Sequence, residues 1–148
     1  MLKFILVTVL IAVGSFANAL TLKERKTLTE WKTYLTDPAA DGNTKYFKDK
    51  CGYDLPVTID EKTVTPFMAA NASAPSYCDE ARGTMGKMCD DDKENKKAIS
   101  DKIKKVSCHL GKEGEYTLKL NGTELVVTMG VNSSNLPEKI KEFLENNL

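Results

Sequence analysis

The sequence has little of what most enzymes and nucleic-acid-binding proteins require. Its 148 residues contain a single histidine, and 21 basic side chains balance 21 acidic ones. Phosphate backbones are bound by a clustered excess of lysine and arginine, so this balance argues against a nucleic-acid partner. The chain also lacks a glycine-rich phosphate-binding loop and a strand-turn-helix motif around a serine nucleophile. We therefore predict no catalytic residue, no metal ligand and no cofactor.

The sequence has no apolar run long enough to cross a membrane, which takes roughly 20 residues. The first 19 residues, MLKFILVTVLIAVGSFANA, instead contain one early lysine, an apolar run from Phe4 to Val13, and small residues at Ala17 and Ala19. This is the layout of a signal peptide. We predict cleavage after residue 19, no membrane span in the remaining chain, and a secreted or periplasmic protein with one domain over 20–148.

All four cysteines follow the predicted signal peptide: Cys51, Cys78, Cys89 and Cys108. An even number of cysteines in an exported chain is typical of disulfides, and these cysteines do not form the close pairs of a zinc site. A helix over 77–89 would place Cys78 about 16 Å from Cys89, which is too far for a bridge. Two pairings stay open: Cys51–Cys78 with Cys89–Cys108, and Cys51–Cys89 with Cys78–Cys108.

The apolar pattern predicts an α+β fold, with N-terminal helices followed by a three-stranded antiparallel meander and a covering C-terminal helix. Thr21 and Glu24 form a capping box before a helix over 22–35, and a linker follows at 36–48. Trp31 lies on the apolar stripe of this helix, and we expect it to pack in the core rather than to bind a partner. The other predicted elements are an edge strand over 51–60, helices over 77–89 and 92–103, a strand over 105–110, a hairpin over 115–130, and a helix capped by Asn135 and Glu138.

The dipeptide Asn121-Gly122 is the strongest local signal in the sequence, because Asn-Gly is preferred in two-residue type I′ turns. A turn at these residues pairs position 120 with 123 and sets Leu118 opposite Leu125. The apolar side chains of both strands then share one face of the sheet. With the strand over 105–110, this hairpin completes the predicted meander.

Several side chains could carry chemistry, but each has a simpler structural explanation. His109 alternates with a cysteine along a predicted strand, so we expect it to point to solvent. The aspartates at 90–92 precede a helix and suit its N-cap better than a calcium site. Met85, Met88 and Met129 could bind copper together with His109, but methionines at helix and strand positions usually fill cores.

Two further features concern the protein surface. Lysines around the helix at 92–103 favour a weak contact with an anionic surface, although the acidic residues between them favour a solvated helix face. These lysines are Lys93, Lys96, Lys97, Lys102, Lys104 and Lys105. Asn71, Asn121 and Asn132 each begin an N-x-Ser/Thr sequence, which is a glycosylation acceptor in cells that glycosylate exported proteins.

These observations favour a non-catalytic binding or interaction protein that is stabilised by two disulfides and whose partner is a protein or a small apolar ligand. One alternative is a small exported hydrolase that uses carboxylates, and another is an envelope-associated structural protein. The hydrolase predicts a cleft containing an acid with a raised pKa. The binding protein predicts an exposed apolar patch or an apolar cavity, so the structure can distinguish the two.

Overall fold

The computed structural model of the protein describes residues 20–37, 42–70 and 72–148. The predicted signal peptide lies outside these residues. The described helices and a four-stranded mixed sheet confirm the predicted α+β class. In chain order the elements are α1 (Leu22–Thr36), α2 (Gly42–Cys51), β1 (Val57–Ile59), a 3-10 turn (Glu61–Thr63), α3 (Thr65–Ala69), α4 (Ala74–Asp91), α5 (Lys93–Lys102), β2 (Lys105–Leu110), β3 (Tyr116–Asn121), β4 (Glu124–Met129) and α6 (Leu136–Asn147).

Helix α1 begins at the predicted capping box. The Glu24 N–H donates to Thr21 Oγ1 at 3.2 Å, and the Thr21 N–H donates to Glu24 Oε2 at 2.7 Å. The linker predicted over 36–48 is wrong for residues 42–48, which belong to α2. Phe47 and Cys51 lie one helical turn apart and are both buried, so tertiary packing stabilises a segment with little helical signal of its own. Residues 38–41 of the predicted linker lie outside the described residues.

The edge strand predicted over 51–60 is shorter than expected. The strand covers only Val57–Ile59, because residue 51 still belongs to α2. The Pro56 carbonyl oxygen accepts from the Val106 N–H at 2.9 Å, but Pro56 has no N–H to extend the ladder. The strand does lie at an edge of the sheet, as predicted. Its two buried side chains, Val57 and Ile59, join the core, and Thr58 between them is exposed.

The sheet is mixed, so the predicted antiparallel meander is wrong. The strand order is β1-β2-β4-β3. β2 pairs in parallel with both β1 and β4, and β3 pairs in antiparallel fashion with β4. β4 buries Leu125, Val127 and Met129, whereas every side chain of β3 keeps some exposure. Placing β4 between two neighbours therefore removes more apolar surface from water than placing β3 there.

The β3–β4 hairpin forms, but its turn is displaced by one residue from the prediction. Asn121 pairs with Glu124, so the central turn residues are Gly122 and Thr123. Gly122 has a positive φ of 60°, which suits the first central position of a type II′ turn. The predicted pairing of 118 with 125 is therefore wrong, because 125 pairs with 120. Moving the turn by one residue shifts each strand partner by two residues, from Leu125 to Val127 for Leu118, so the same side chains stay on the apolar face.

Helix α4 is the centre of the fold, since 12 of its 18 residues are buried. It contacts α1, α2, α5 and α6 as well as β1, β2 and β4. Gly86 permits the approach of α2, because a Cβ atom there would lie 2.8 Å from a ring carbon of Tyr46. Met85, Met88 and Met129 are all buried in the core, as expected.

A buried ion pair lies within α4. Arg82 and Asp79 are 1% and 2% exposed, and Arg82 Nη1 lies 3.4 Å from Asp79 Oδ1. Arg82 also donates to Thr44 Oγ1 on α2 and, from Nη2, to the Leu35 carbonyl oxygen at 3.1 Å. Burying a guanidinium group costs free energy unless its donors are satisfied. These bonds therefore fix the end of α1 and the start of α2 against the central helix.

Both disulfides connect α4 to another element. Cys51–Cys89 joins α2 to the end of α4, and Cys78–Cys108 joins the first turns of α4 to β2. The Cα separations are 5.3 Å and 5.6 Å, within the normal range for a disulfide. This is one of the two pairings that the sequence left open. Two disulfides in a chain of this size indicate an oxidising compartment.

Helix α6 packs on α4 and on β3, with Leu136, Ile140 and Leu144 buried. Its start differs from the prediction, because Asn135 adopts a left-handed conformation with a φ of 54° and its side chain does not cap the helix. Among the described residues, no helix is both long and apolar enough to cross a membrane.

Candidate functional site

A groove between α1 and α3, here called the α1–α3 groove, is the candidate ligand site on the described surface. Its volume is about 490 Å³, a size that suits a small organic ligand. The lining combines an indole ring, a thioether and two alanine methyl groups with threonine and serine hydroxyls and two charged side chains. The lining residues are Thr21, Lys23, Glu24, Thr27, Trp31, Thr65, Met68, Ala69, Ala72 and Ser73.

Helical spacing determines which side chains of α1 reach the groove. Glu24, Thr27 and Trp31 follow one another at intervals of three and four residues, so they share one face of the helix. Leu28 and Leu35 occupy the neighbouring face and are buried in the core. Trp31 is only half-buried and lines the groove, which differs from the core position expected for it.

The short helix α3 supplies the opposite wall, and the sequence analysis did not predict it. Thr65, Met68 and Ala69 line the groove from α3, whereas Phe67 of the same helix is fully buried. Met68 is half-buried and packs against the core beside the groove. The available sequence signal was the Thr65-Pro66 pair, because proline is common in the first turn of a helix.

The electrostatics of the groove do not suit acid catalysis. Hydrogen bonds from the backbone and side chain of Thr21 hold the pKa of Glu24 below its ordinary value. Glu24 is therefore a stable anion that is already engaged in capping α1, and it is a poor proton donor. Lys23 at the rim forms no ion pair with any described residue.

The four cysteines are all oxidised, so none supplies a thiolate nucleophile. Cys78 and Cys108 are fully buried, and Cys51 and Cys89 are 4% and 5% exposed. Their sulfur atoms cross-link elements of the core and do not approach the α1–α3 groove.

His109 lies on the face of the sheet that points away from the helices, as predicted. Its Nδ1 is 3.4 Å from Asp60 Oδ2, and both side chains are about one-third exposed. Ser107, two residues earlier on β2, hydrogen bonds to Glu124 and lies 3.4 Å from the Thr58 hydroxyl. Because Ser107 and His109 bond to different carboxylates, they do not form a linked nucleophile and base.

Glu124, beside this open face, also lacks the raised pKa of a paired-acid site. Hydrogen bonds from Ser107 and Lys105 hold the pKa of Glu124 below its ordinary value. A glycosidase-type acid requires the opposite shift. The lowered pKa therefore gives no support to the hydrolase hypothesis at this position.

Most of the aspartates and lysines around α5 have structural partners. Asp92 caps α5 by accepting from the N–H groups of Glu94 and Asn95. Lys97 lies 2.5 Å from Asp101, and Lys105 lies 2.9 Å from Glu124. Neutralising partners on the same surface reduce the positive potential that an anionic surface would attract. In the described part of the chain, no three His, Cys, Asp or Glu residues are arranged to hold a metal ion.

Two of the three predicted glycosylation acceptors are described. Asn121 is exposed at the end of β3. Asn132 is exposed with a φ of 64°, and its Nδ2 donates to Glu113 at 2.7 Å. Asn71 lies outside the described residues. Both described asparagines can be reached from solvent, although Asn132 would have to release Glu113 to be modified.

Comparison of this chain with known proteins finds no matching family model, no matching curated protein and no matching solved structure. The functional argument therefore depends on the geometry and chemistry of the site itself.

Proposed function

We propose that this chain is a non-catalytic binding protein of an extracytoplasmic compartment, secreted or periplasmic, and that the α1–α3 groove holds a small apolar ligand. The observation that carries the proposal is the pairing of Trp31 and Met68, two half-buried apolar side chains on opposite walls of one groove. An apolar ligand between them would cover surface that both residues now leave in water.

The proposed location depends on two independent features. The first 19 residues have the layout of a signal peptide. The two disulfides need an oxidising environment to form and persist. A cytosolic protein of this size would rarely combine the two.

The non-catalytic part of the proposal is supported by the chemical state of the candidate groups. The cysteines are oxidised, and the carboxyl groups of Glu24 and Glu124 have lowered pKa values. The single histidine, His109, lies on β2 and does not line the groove. The groove therefore offers shape and apolar surface, which suit binding, rather than a poised proton donor or nucleophile.

The sole tryptophan of the chain makes ligand binding directly measurable. We would titrate the purified protein with N-phenyl-1-naphthylamine, a neutral apolar fluorophore, and follow Trp31 emission. Saturable quenching with energy transfer to the probe is the expected result, because the probe would lie beside the indole ring.

Met68→Arg should weaken probe binding roughly tenfold or more, because it places a charged side chain in the groove. Leu22→Arg is the matched control. Leu22 is 86% exposed and adjoins groove residues in sequence, but it does not line the groove. Equal effects of the two variants, or no saturable change in Trp31 emission, would overturn the proposed site.

The non-catalytic assignment has a separate test. The purified protein is incubated with p-nitrophenyl esters and glycosides, and release of nitrophenolate is followed. No turnover is expected. Turnover that is abolished by Asp60→Asn or Glu124→Gln would show that the open face of the sheet is catalytic.

A further inference from the structure

The two edges of the sheet differ in how well they are protected against pairing with another strand. β1 has three residues, directly follows Pro56 and is packed against α1. β3 has six residues, contains no proline and carries one charged side chain, Lys119. Native proteins usually block sheet edges with short strands, prolines, charges or covering elements. β3 contacts α6, as β1 contacts α1, but it is longer than β1 and does not follow a proline.

The hydrogen bonds of the hairpin determine which backbone groups of β3 point outward. The Gly130 N–H donates to the Glu115 carbonyl at 2.7 Å, so 115 and 130 form a hydrogen-bonded pair. Hydrogen-bonded and non-hydrogen-bonded pairs alternate along an antiparallel ladder. Residues 117, 119 and 121 therefore bond to β4. The N–H and C=O groups of Tyr116, Leu118 and Leu120 point away from it, and no other strand of the described sheet pairs with them.

This set of three outward-pointing residues is symmetric about Leu118, and from this we infer that β3 pairs with β3 of a second copy of the chain in a two-fold symmetric dimer. In that register Leu118 faces Leu118 of the second copy, and Tyr116 faces Leu120. All outward N–H and C=O groups of both strands then find partners, and the sheet continues through both molecules.

The charges and the apolar side chains fit the same register. Lys119 faces Thr117 of the second copy, so the only charged residue of the strand does not face its own equivalent. Tyr116, Leu118 and Leu120 are half-buried on the helix side of the sheet. Tyr116, Leu118 and Phe143 of α6 form the apolar part of a groove of about 330 Å³ beside this edge, whose other lining residues are polar or charged. The second copy would extend this apolar surface with an identical row.

Opposite charges introduced at position 117 test the inferred register. Thr117 is exposed and lies across from Thr128 within the molecule, so neither change should disturb the fold. Thr117→Glu creates two pairs with Lys119 of the other copy and should lower the dimer dissociation constant. Thr117→Lys creates two like-charge contacts and should raise it. Each change should be roughly 2- to 30-fold, measured by sedimentation equilibrium.

Two further variants make the result decisive. Leu118→Pro removes an N–H that β4 does not use, so the variant should unfold cooperatively but sediment as a monomer. Thr58→Lys on the exposed face of β1 adds the same charge at the opposite edge and should leave the dimer unchanged. A wild-type protein that is monomeric at its highest soluble concentration would overturn the inference. Shifts of the same sign for the two position-117 variants would also overturn it.

Discussion

Helices α4 and α1 use their side chains in opposite ways. α4 buries 12 of its 18 residues, whereas α1 buries two of 15, Leu28 and Leu35. The side chains of α4 are needed to hold seven neighbouring elements and both disulfides, so few are available for a ligand. α1 is held by a narrow stripe and keeps Trp31 half-exposed beside a groove. The buried scaffold and the proposed ligand-binding surface are therefore separated between two helices that touch each other.

The strongest test of this contrast is to remove the charge at the centre of α4. Arg82→Met should lower the free energy of unfolding by about 3 to 5 kcal/mol, because the buried Asp79 loses its ion-pair partner. Urea denaturation followed by circular dichroism measures this change. Lys87→Met on the exposed face of α4 is the control and should change stability by less than about 0.5 kcal/mol. Equal effects would show that α4 is not the scaffold.

Removal of either disulfide should have the next largest effect. Replacing Cys78 and Cys108 by alanine should cost about 3 to 4 kcal/mol, because the unfolded chain gains the freedom of a loop with a sequence separation of 30. The Cys51–Cys89 bridge, with a separation of 38, should contribute a similar amount. Under native conditions, probe binding near Trp31 should persist in both variants. A double-alanine variant as stable as the wild type would show that this disulfide does not stabilise the fold.

A smaller effect is expected where α2 approaches α4. Gly86→Val should cost about 1 to 3 kcal/mol, because its Cβ would lie 2.8 Å from the Tyr46 ring and 3.4 Å from the Phe47 Cα. Thermal unfolding is compared with that of Lys87→Val at an exposed position of the same helix. Helix propensity alone would favour Gly86→Val, because valine is a better helix former than glycine and a poorer one than lysine, so a larger loss at position 86 reports the clash. If both valine variants lose the same stability, the close approach of α2 is not important.

The smallest expected effect concerns the cap of α1. The folded-state pKa of Glu24 is lowered, so its contribution to stability is present above the ordinary pKa of 4.5 and is lost as the pH falls through the lowered value. Glu24→Gln should therefore be less stable than the wild type at neutral pH, and the difference should shrink below pH 4.5. The measurement is the free energy of unfolding of both proteins across this range. A difference that does not vary with pH would contradict a role for the charge.

Much of the fold could be predicted where the local signal and the tertiary contacts agree. The capping box at Thr21 and Glu24 located α1, and the strand over 105–110 was predicted with its observed bounds. The α4 prediction found the helix, although it extends from Ala74 to Asp91. In these segments the apolar residues already repeat with the period of the element that they form.

The errors occurred where long-range packing decides the structure. The sequence GNTKYFKDKC forms α2 because Phe47 and Cys51 pack on α4, and nothing in its own pattern indicates this. The order of β3 and β4 depends on which strand buries more apolar surface, a comparison that the hairpin signal does not contain. Arg82 was not recognised as a core residue, because its partners on α1 and α2 are distant in sequence.

The location of the candidate site could not be predicted from the sequence. The binding hypothesis predicted an exposed apolar patch or an apolar cavity, but the sequence assigned Trp31 to the core and missed α3 entirely. Whether a tryptophan on an apolar stripe is covered depends on the neighbouring element. Here α3 is too short to cover it, and the pattern of α1 alone cannot reveal that.

The two disulfides interlace along the chain, because Cys78 lies inside the loop closed by Cys51–Cys89 and Cys89 lies inside the loop closed by Cys78–Cys108. A protease that cuts any one peptide bond between residues 51 and 108 therefore leaves the two fragments covalently joined. The other pairing would have released them after a cut between 78 and 89. A protein exposed to extracellular proteases would thus survive a single nick as one molecule.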